Sequence, residues 1–544
     1  MKPGTCGEFL CTERLNNRRT DHMKRNQRFG LFMAVCMLAG SCIAPFRAGA
    51  EDTVSGKTGD ANIDGFVDVA DAVLGARFAA EDKDAKLTDQ GRKNGDVNGD
   101  GELDSTDVAQ ILEFIAHKRT SFAAAQQPAE KLTKTVDMMA GIEPSGASGK
   151  EVDDAFVTAQ FDLTAKLLKE ISQNEAKDQN ILISPLSLSL ALGMTANGAK
   201  GETRAEMQKL LGGEIDIETM NAYYYDYVSN LPSTDRERVE IANSIWIKDD
   251  ESRIVVPKDF LQTNKDYFDA GVFRAPFDDG TIKDINDWTS RNTGGMIPEV
   301  IRAFNELEVM DLINTLYFDA AWKKQYEGYQ VTPGTFYLNE QLDLDDYEAV
   351  RNAKPEEVCD VDYMSMQEDF YVQDEKAVGF VKPYGSDNYS FVGLLPNDGV
   401  TVQDYIDSMD GASLKKLMDS KKENPHLVYT CLPKFKCSYE VTLNDTLKAL
   451  GMKQAFEPTA ADFSGLNELG ETWIGSVLQK TVIEVNEVGT RASAVTAVQI
   501  MGGGGFPDGS VFVYLTKPFI YMIVDNRTNL PVFIGTVMHP EYAS

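Results

Sequence analysis

The sequence predicts an α+β protein, in which a large domain of mixed helices and strands follows a small α-helical module. Three observations support this expectation. A twelve-residue acidic pattern occurs twice near the N-terminus, helix-like and strand-like apolar segments alternate from about residue 151 onwards, and 42% of the residues are hydrophobic, as in globular proteins. Because 544 residues exceed what one hydrophobic core usually serves, we expect more than one domain.

The charge balance and the motifs that are missing narrow the function. With 53 Lys and Arg against 85 Asp and Glu, the formal net charge is −32, so neither nucleic acid nor an anionic membrane is expected as a partner. The four histidines are too scattered for a zinc-protease motif, and no GxSxG, P-loop or GxGxxG pattern occurs. The sequence therefore lacks the common enzyme signatures.

The N-terminus has the pattern of a secretory signal peptide. A basic stretch at residues 24–28 precedes the apolar run 31–44, and small residues follow at 48–50. We expect removal of residues 1–50 and a secreted, extracellular protein. The apolar run is short for a membrane span. A lipoprotein signal at Cys42 is the alternative, although the leucine of that motif stands one position too far from the cysteine.

A twelve-residue acidic loop occupies residues 60–71 and recurs at 96–107. Calcium prefers six to eight oxygen ligands, which loop positions 1, 3, 5, 7, 9 and 12 supply, while glycine at position 6 allows a sharp turn. The expected ligands are Asp60, Asn62, Asp64, Phe66 (through its carbonyl), Asp68 and Asp71, and then Asp96, Asn98, Asp100, Glu102 (through its carbonyl), Asp104 and Asp107. A solvated acidic turn would explain one such loop. Two complete loops in register favour two bound calcium ions.

Position 12 is Asp in both loops, each loop leads directly into an apolar helical pattern, and no helix is expected before either loop. With these features residues 57–118 resemble a dockerin, the module that attaches proteins to a cohesin on the scaffoldin of a cellulosome-type complex. The resemblance implies that loop positions 10 and 11 face the cohesin. These residues are Val69, Ala70, Ser105 and Thr106. Because the two pairs differ, binding in two equivalent orientations is not expected.

We assign residues 51–118 to the dockerin and the Ala-, Gly- and Ser-rich stretch 119–150 to a flexible tether. In the large domain, Ser184 is a suitable N-cap and Pro185 a suitable first residue for a helix. The pair formed by Thr203 and Glu206 is typical of a capping box. These local signals alone assign no function.

Motifs along residues 151–544 occur in the order found in serpins, the serine protease inhibitor family, and the large domain resembles that family. The motifs lie at 180–187, 198–203, 242–244, 285–297, 314–322, 432–435, 450–452, 461–464, 518–519 and 533–535. The resemblance implies a serpin fold, with three β-sheets, surrounding helices and an exposed reactive loop.

In serpins the breach is the place where the reactive loop first enters a sheet, and the shutter lies near the middle of that sheet. The resemblance places Trp322 at the breach and Asn314, Ser184 and Ser187 near the shutter, where Gln479 replaces the usual histidine. Plain core packing or helix capping is the competing interpretation of these residues.

The segment from residue 481 to 507 has the pattern of the reactive loop. An apolar β-rich run containing Glu487 leads to Gly489, a suitable hinge, and small residues without proline follow. With a period of two, one face of the new strand would carry Thr490, Ala492, Ala494 and Thr496, all directed into the protein. Arg491 stands where the family often has an acidic residue, and it would face outwards.

The resemblance implies a suicide inhibitor without catalytic residues of its own. A target serine protease, or alternatively a cysteine protease, attacks the loop, and insertion of the cleaved loop traps the acyl-enzyme. Counting sixteen residues from Glu487 places the cleaved bond between Gly503 and Gly504. The alternative bond is Met501–Gly502, which would suit a subtilisin- or chymotrypsin-like pocket. The competing functions are a non-inhibitory serpin acting as a binding component of the same complex, and a dockerin-bearing hydrolase.

The two acidic loops generate a first prediction: the module at 57–118 binds two calcium ions and folds on binding them. Calcium neutralises carboxylates that would otherwise repel one another. Circular dichroism and cohesin pull-down, each with and without a chelator, measure this effect. Equal helicity and equal cohesin binding in both conditions would contradict it.

Overall fold

The computed structural model describes most of the chain beyond the N-terminal segment. The described residues are 58–63, 67, 69–80, 85–97, 103–115, 134–232, 234, 237–250, 254–304, 309–344, 346–469, 472–490 and 506–541. The expected signal peptide, residues 1–50, lies outside them. No helix within these ranges is both long and apolar enough to cross a lipid bilayer.

The small N-terminal module contains three described helices, α1 (Val69–Ala79), α2 (Asp89–Gly95) and α3 (Ser105–Ile115). Its buried apolar residues are Ala61, Ala72, Val97, Val108 and Ile111. Helices α1 and α3 begin at position 10 of the two acidic loops, as the apolar pattern predicts. Helix α2, which Thr88 caps by accepting a hydrogen bond from Gly91 N, ends directly before the second loop. The expectation that no helix precedes the second loop is therefore wrong.

Ten further helices are described along residues 154–449. They are α4 (Asp154–Asn174), α5 (Pro185–Ala196), α6 (Gly201–Gly212), α7 (Ile217–Ser229), α8 (Lys258–Phe268), α9 (Asp279–Asn292), α10 (Tyr347–Arg351), α11 (Val402–Ser408), α12 (Gly411–Asp419) and α13 (Asn444–Ala449). Helix α5 is buried along its whole length and packs against both sheets. As predicted, Ser184 is its N-cap and Pro185 its first residue.

The predicted capping box at Thr203 and Glu206 is wrong, because α6 begins two residues before Thr203. Both side chains satisfy backbone N–H groups of another segment instead. The Thr203 hydroxyl accepts a hydrogen bond from Asp462 N at 3.0 Å, and the Glu206 carboxylate accepts from Lys453 N and Gln454 N, each at 2.7 Å. Tertiary contacts have replaced the local cap.

Sixteen strands are present in the described residues. They are β1 (Val136–Asp137), β2 (Ile181–Ile183), β3 (Glu237–Lys248), β4 (Gly271–Ala275), β5 (Met310–Ala321), β6 (Val331–Tyr337), β7 (Val358–Gln373), β8 (Ala377–Pro383), β9 (Tyr389–Pro396), β10 (Lys422–Pro433), β11 (Phe435–Thr442), β12 (Ser476–Val485), β13 (Gly489–Thr490), β14 (Val511–Tyr514), β15 (Phe519–Asp525) and β16 (Pro531–Val537).

These strands form two hydrogen-bonded sheets. The seven-stranded sheet has the order β1-β4-β3-β5-β13-β12-β11, and the nine-stranded sheet has the order β14-β10-β7-β8-β9-β15-β16-β2, with β6 also paired to β7. The long strand β7 pairs with β6 and β10 over most of its length and with β8 near its end. Two hydrogen-bonded sheets are therefore observed where three are expected, because β7 pairs with strands on both sides and joins them into one sheet.

The centre of the seven-stranded sheet has a closed end and an open end. At the closed end β5 and β12 are parallel and directly paired, from Asp311 opposite Ser476 to Asn314 opposite Gln479. At the open end β13 lies between them and pairs with both. This sheet thus contains the beginning of an additional strand.

Residues 134–150, which fall within the predicted tether 119–150, are part of the folded domain. Strand β1 adds an edge to the seven-stranded sheet by pairing with β4. The Thr135 hydroxyl donates a 2.6 Å hydrogen bond to the buried carboxylate of Asp284, and Met139 lies in the main hydrophobic core. The tether prediction is wrong for these residues, while 119–133 lie outside the described residues.

The docked segment generates a second prediction, because Thr135→Val removes the hydroxyl that serves the buried Asp284 carboxylate. We expect the variant to lose about 1–3 kcal/mol of stability. Lys134→Ala is the matched control, since its exposed ion pair with Asp278 should contribute less than about 1 kcal/mol. Chemical denaturation of the full chain measures both. A neutral Thr135→Val substitution would contradict the contribution of this contact to stability.

Candidate functional site

The candidate site is the hinge, where β12 turns back into β13. Asn486 shapes this turn, since its side-chain oxygen accepts hydrogen bonds from Val488 N at 3.0 Å and Gly489 N at 3.3 Å. Its own N–H donates to the carbonyl of Gly489. These bonds reverse the chain within three residues and direct β13 into the sheet.

Close packing requires glycine at position 489. A Cβ atom there would lie 2.2 Å from the carbonyl oxygen of Ala320 and 2.7 Å from Cα of Ala321. These are backbone atoms of β5, which cannot move aside as a flexible side chain can. Gly489 is thus needed for the close approach of β13 to β5, in addition to any freedom that it gives the hinge.

Thr490 is the last described residue before the rest of the reactive loop. It pairs with Ala320 on β5 and with Val485 on β12. Its buried hydroxyl shares a 2.7 Å hydrogen bond with the hydroxyl of Tyr384. Thr490 therefore faces the protein interior, as the alternation of the loop predicts.

The breach lies directly beside the hinge. Trp322 is buried, its indole N–H donates to the carbonyl of Asn486 at 2.8 Å, and its ring stacks on Tyr384 with centroids 4.5 Å apart. The Glu487 carboxylate forms a 2.6 Å ion pair with Lys434. The predicted breach residue Trp322 thus lies against the turn that contains the predicted hinge residue Glu487.

A second ion pair lies beneath the breach and was not predicted. Lys382 and Glu368 are almost completely buried and form an ion pair at 2.7 Å. The Lys382 ammonium also donates to the carbonyl of Lys324 and lies 4.2 Å from the ring centroid of Tyr326. Burial raises the pKa of Glu368 and lowers the pKa of Lys382, and the attraction between the two charges opposes both shifts.

The shutter residues form one hydrogen-bonded group. The side chain of Gln479 accepts from Ser184 N and donates to the carbonyl of Ser184, both at 3.0 Å, and also donates to Asn314 Oδ1 at 3.1 Å. Asn314 donates to the carbonyl of Ser187. Gln479, in place of the usual histidine, thus joins β12 to β5 and to the start of α5.

Several predicted loop positions lie outside the described residues. They are Ala492, Ala494, Thr496, Met501, Gly502, Gly503 and Gly504. Phe506 is the first described residue after this segment, and its exposed ring contacts Tyr429 and Phe512, each with centroids 4.8 Å apart. The two ends of the reactive loop are therefore fixed at different sheets.

Half of the expected calcium ligands can be located. The carboxylates of Asp60, Asp71 and Asp107 are buried. In each loop the position-12 aspartate accepts a loop N–H, from Asn62 to Asp71 at 3.0 Å and from Asp104 to Asp107 at 2.9 Å. Asp96 is also described, but Asp64, Phe66, Asp68, Asn98, Asp100 and Glu102 are not, and the described residues alone contain no complete group of metal ligands.

The residues expected to face the cohesin lie at the first turns of α1 and α3. Ala70, Ser105 and Thr106 are exposed to solvent, and Val69 is the first residue of α1. Thr106 N donates to the Asp104 carboxylate at 2.6 Å, so the position-11 residue of the second loop is hydrogen-bonded to one of the expected calcium ligands.

Comparison with known proteins identifies both modules. The family model for serpins (serine protease inhibitor) matches residues 158–540, and the dockerin type I model matches residues 58–116. The chain belongs to the serpin family, whose members are generally protease inhibitors, and it carries a dockerin type I domain. The resemblance to both families, predicted from the motifs, is confirmed.

Individual relatives cover the large domain. Human neuroserpin is 28% identical over 380 residues, which are 67% of this chain and 87% of that protein. Iripin-3 from Ixodes ricinus is 28% identical over 401 residues, 72% of this chain and 96% of that protein. The native structure of tengpin, a thermophilic serpin, is 40% identical, with a TM-score of 0.67 over 75% of this chain and all of that one.

The residues that sequence reasoning missed are those whose partners are distant in sequence. Lys382 is the charged residue in the otherwise apolar strand β8, and that isolated charge is the one signal in the sequence that could have predicted it. Asn486 and Tyr384 have no local pattern that marks them. Lys434 belongs to a recognised serpin motif, but its partner Glu487 does not follow from that motif.

The buried ion pair generates a third prediction. Lys382→Met should destabilise the protein by about 3–5 kcal/mol, because it leaves the Glu368 carboxylate buried without its cation. The double variant Lys382→Met with Glu368→Leu should recover most of this loss. Lys283→Met, which breaks an exposed pair with Asp287, is the matched control. Thermal and chemical unfolding measure all three, and a double variant as unstable as Lys382→Met would contradict the argument.

Proposed function

We propose that this protein inhibits serine proteases by cleavage and insertion of its reactive loop, while its dockerin attaches it to a cohesin on the scaffoldin of an extracellular, cellulosome-type complex. In that position it would protect the enzymes of the complex from proteolysis. The observation that carries the inhibitory part is the pairing of β13 with both β5 and β12.

The pairing registers around the hinge are mutually consistent. Thr490 lies opposite Ala320 on one side and Val485 on the other. If the strand continues in this register, Thr496 enters between Asn314 and Gln479, which are directly paired at the closed end. The three registers agree, so the loop can extend β13 through the sheet without any strand slipping by a residue.

The side chains of the loop suit this path. Thr490 fixes which face of the new strand is internal, so Ala492 would enter beside Phe318 and Ile483, which are both buried. Thr496 would replace the hydrogen bond between Asn314 and Gln479 with contacts to its own hydroxyl. Small residues therefore meet the crowded internal face.

The length of β5 limits how much of the loop can enter. In the same register Ile500 lies opposite Met310, the first residue of β5. Residues 491–500 would then gain backbone hydrogen bonds, which together favour insertion by a free energy on the order of 10 kcal/mol. Both candidate bonds, Gly503–Gly504 and Met501–Gly502, lie just beyond this limit.

The dockerin residues support calcium binding and attachment. Burying ionised carboxylates such as Asp60 and Asp71 is costly unless a cation or donors compensate them, and calcium supplies that compensation. Calcium would hold the loops in the conformation that starts α1 and α3. The exposed residues at those two helix starts would then be presented to the cohesin.

The inhibitory mechanism is tested by incubating the full chain with subtilisin- and chymotrypsin-like proteases. A trapped protease gives a covalent complex that survives boiling in detergent. A non-inhibitory serpin would give only cleaved chain or no reaction with every protease. Cohesin pull-down of the same complex would show that inhibition and attachment occur together.

The hinge generates a fourth prediction: Thr490→Arg converts the inhibitor into a substrate. The variant places an unpaired charge in the buried site beside Tyr384, which slows insertion and leaves time for deacylation. Ser493→Arg is the matched control, because its side chain would point to the opposite, outer face of the sheet, away from the buried site beside Tyr384, and most of the trapping should remain. The ratio of cleaved chain to complex measures the effect, and unchanged trapping by Thr490→Arg would refute the insertion path.

A fifth prediction concerns the cleaved bond. The count from the hinge favours a C-terminal peptide that starts at Gly504, and the alternative bond gives one that starts at Gly502. Mass spectrometry of the peptide released from the denatured complex distinguishes the two. Cleavage before Thr496 would leave a strand too short to reach the closed end and would contradict both assignments.

A further inference from the structure

The turn of the hinge is held by residues 322–326, here called the clasp, which follow β5 without forming a helix or a strand. Trp322 donates through its indole N–H to the carbonyl of Asn486 and through its backbone N–H to the carbonyl of Val488, both at 2.8 Å. Tyr326 N donates to the carbonyl of Glu487 at 2.9 Å. Three consecutive carbonyls of the turn therefore accept hydrogen bonds from the clasp.

The buried side chain of Lys382 contacts the clasp from the protein interior. Its ammonium donates to the carbonyl of Lys324 at 2.9 Å. The same ammonium lies 4.2 Å from the ring centroid of Tyr326 and 5.2 Å from that of Trp322, and a cation is attracted to the face of an aromatic ring. Lys382 thus contacts both clasp residues that bind the turn, and the backbone between them.

The other contacts of Lys382 and of the clasp lead to the nine-stranded sheet. The ammonium lies 2.7 Å from Glu368 Oε1 and 2.7 Å from Met366 Sδ, both on β7. Lys323 N donates to the carbonyl of Pro383 on β8 at 3.1 Å, and the Lys323 side chain forms an exposed ion pair with Asp387. Strands β7 and β8 of one sheet therefore fix the segment that holds the hinge of the other.

We propose that Lys382 is a positioning residue for the hinge, and that its ion pair with Glu368 keeps the clasp where it can hold the turn 486–488. An apolar side chain of similar length could fill the same space, but it could not donate to the carbonyl of Lys324. Glu368 compensates the buried ammonium, so that this donor can be kept in an apolar site. The consequence for protease trapping rests on the proposed loop insertion, whereas the positioning of the hinge does not.

The position of the turn matters because β13 begins directly after it. Gly489 and Thr490 are paired with β5 and β12 only while the turn directs them into the sheet. When the clasp is loosened, these two residues leave their register more often and the extension of β13 is delayed. In the proposed mechanism this delay leaves time for deacylation, so more of the chain is cleaved without trapping the protease.

The test uses the double variant Lys382→Met with Glu368→Leu, which removes the donor together with the buried charge. Hydrogen exchange of the full chain, followed by mass spectrometry, reports on the clasp and on residues 486–490. Exchange in both segments should become about tenfold to a hundredfold faster, the factor expected when a hydrogen bond to a charged group is lost. Exchange in β15, which is buried in the nine-stranded sheet, should stay unchanged.

Leu211→Ala is the matched control, because it truncates a buried side chain of α6 and destabilises the whole domain without touching the clasp. It should accelerate exchange in β15 as well as in the hinge. Should the double variant be less stable than the unmodified chain, Leu211→Ala provides the comparison at reduced stability. Only a positioning role makes exchange at the hinge rise more than exchange in β15.

The ratio of cleaved chain to covalent complex is the second readout. It should rise by about threefold to tenfold in the double variant and stay near that of the unmodified chain in Leu211→Ala. Exchange at 486–490 that rises no more than exchange in β15 would overturn the positioning role, and an unchanged ratio despite faster exchange would overturn its part in trapping. If the unmodified chain traps no protease, the proposed inhibition fails, while the exchange experiment still decides whether Lys382 positions the hinge.

Discussion

The register that β13 shares with β5 and β12 is the constraint on which the rest of the site depends. Two residues, Gly489 and Thr490, set it, and it fixes the partners of every residue that could follow them into the sheet. The hinge turn, the stacking of Trp322 and the bond between Thr490 and Tyr384 all hold these two residues in place. The closed end, held by the hydrogen bond between Asn314 and Gln479, is the part of the sheet that the proposed insertion would have to break.

The sequence supports the hinge and shutter assignments because they depend on residue types at fixed places in a known family. The structure places Ser184, Asn314 and Gln479 in one hydrogen-bonded group, and it brings Trp322 to the hinge. Their roles in opening the sheet remain proposals. Local rules succeeded where the backbone itself imposes the requirement, as at the N-cap of α5.

Local rules failed where a distant partner changes the outcome. Thr203 and Glu206 have the spacing of a capping box, yet each serves backbone groups of residues 453–462. Residues 134–150 have the composition of a tether, but Thr135 finds the buried Asp284. A two-residue edge strand carries too little periodicity to be recognised, and its existence depends on the open edge of β4.

Trp322 gives the molecule an intrinsic optical reporter. Its indole ring lies between the hinge turn and Tyr384, while its N–H is bonded to the carbonyl of Asn486. Any movement that frees Asn486 or displaces Tyr384 changes the polarity around this ring and therefore its emission. Trp246, in contrast, stacks on Phe273 in a separate apolar cluster. A change at the hinge can consequently be followed, in the unlabelled protein, as a change in the summed emission of its four tryptophans.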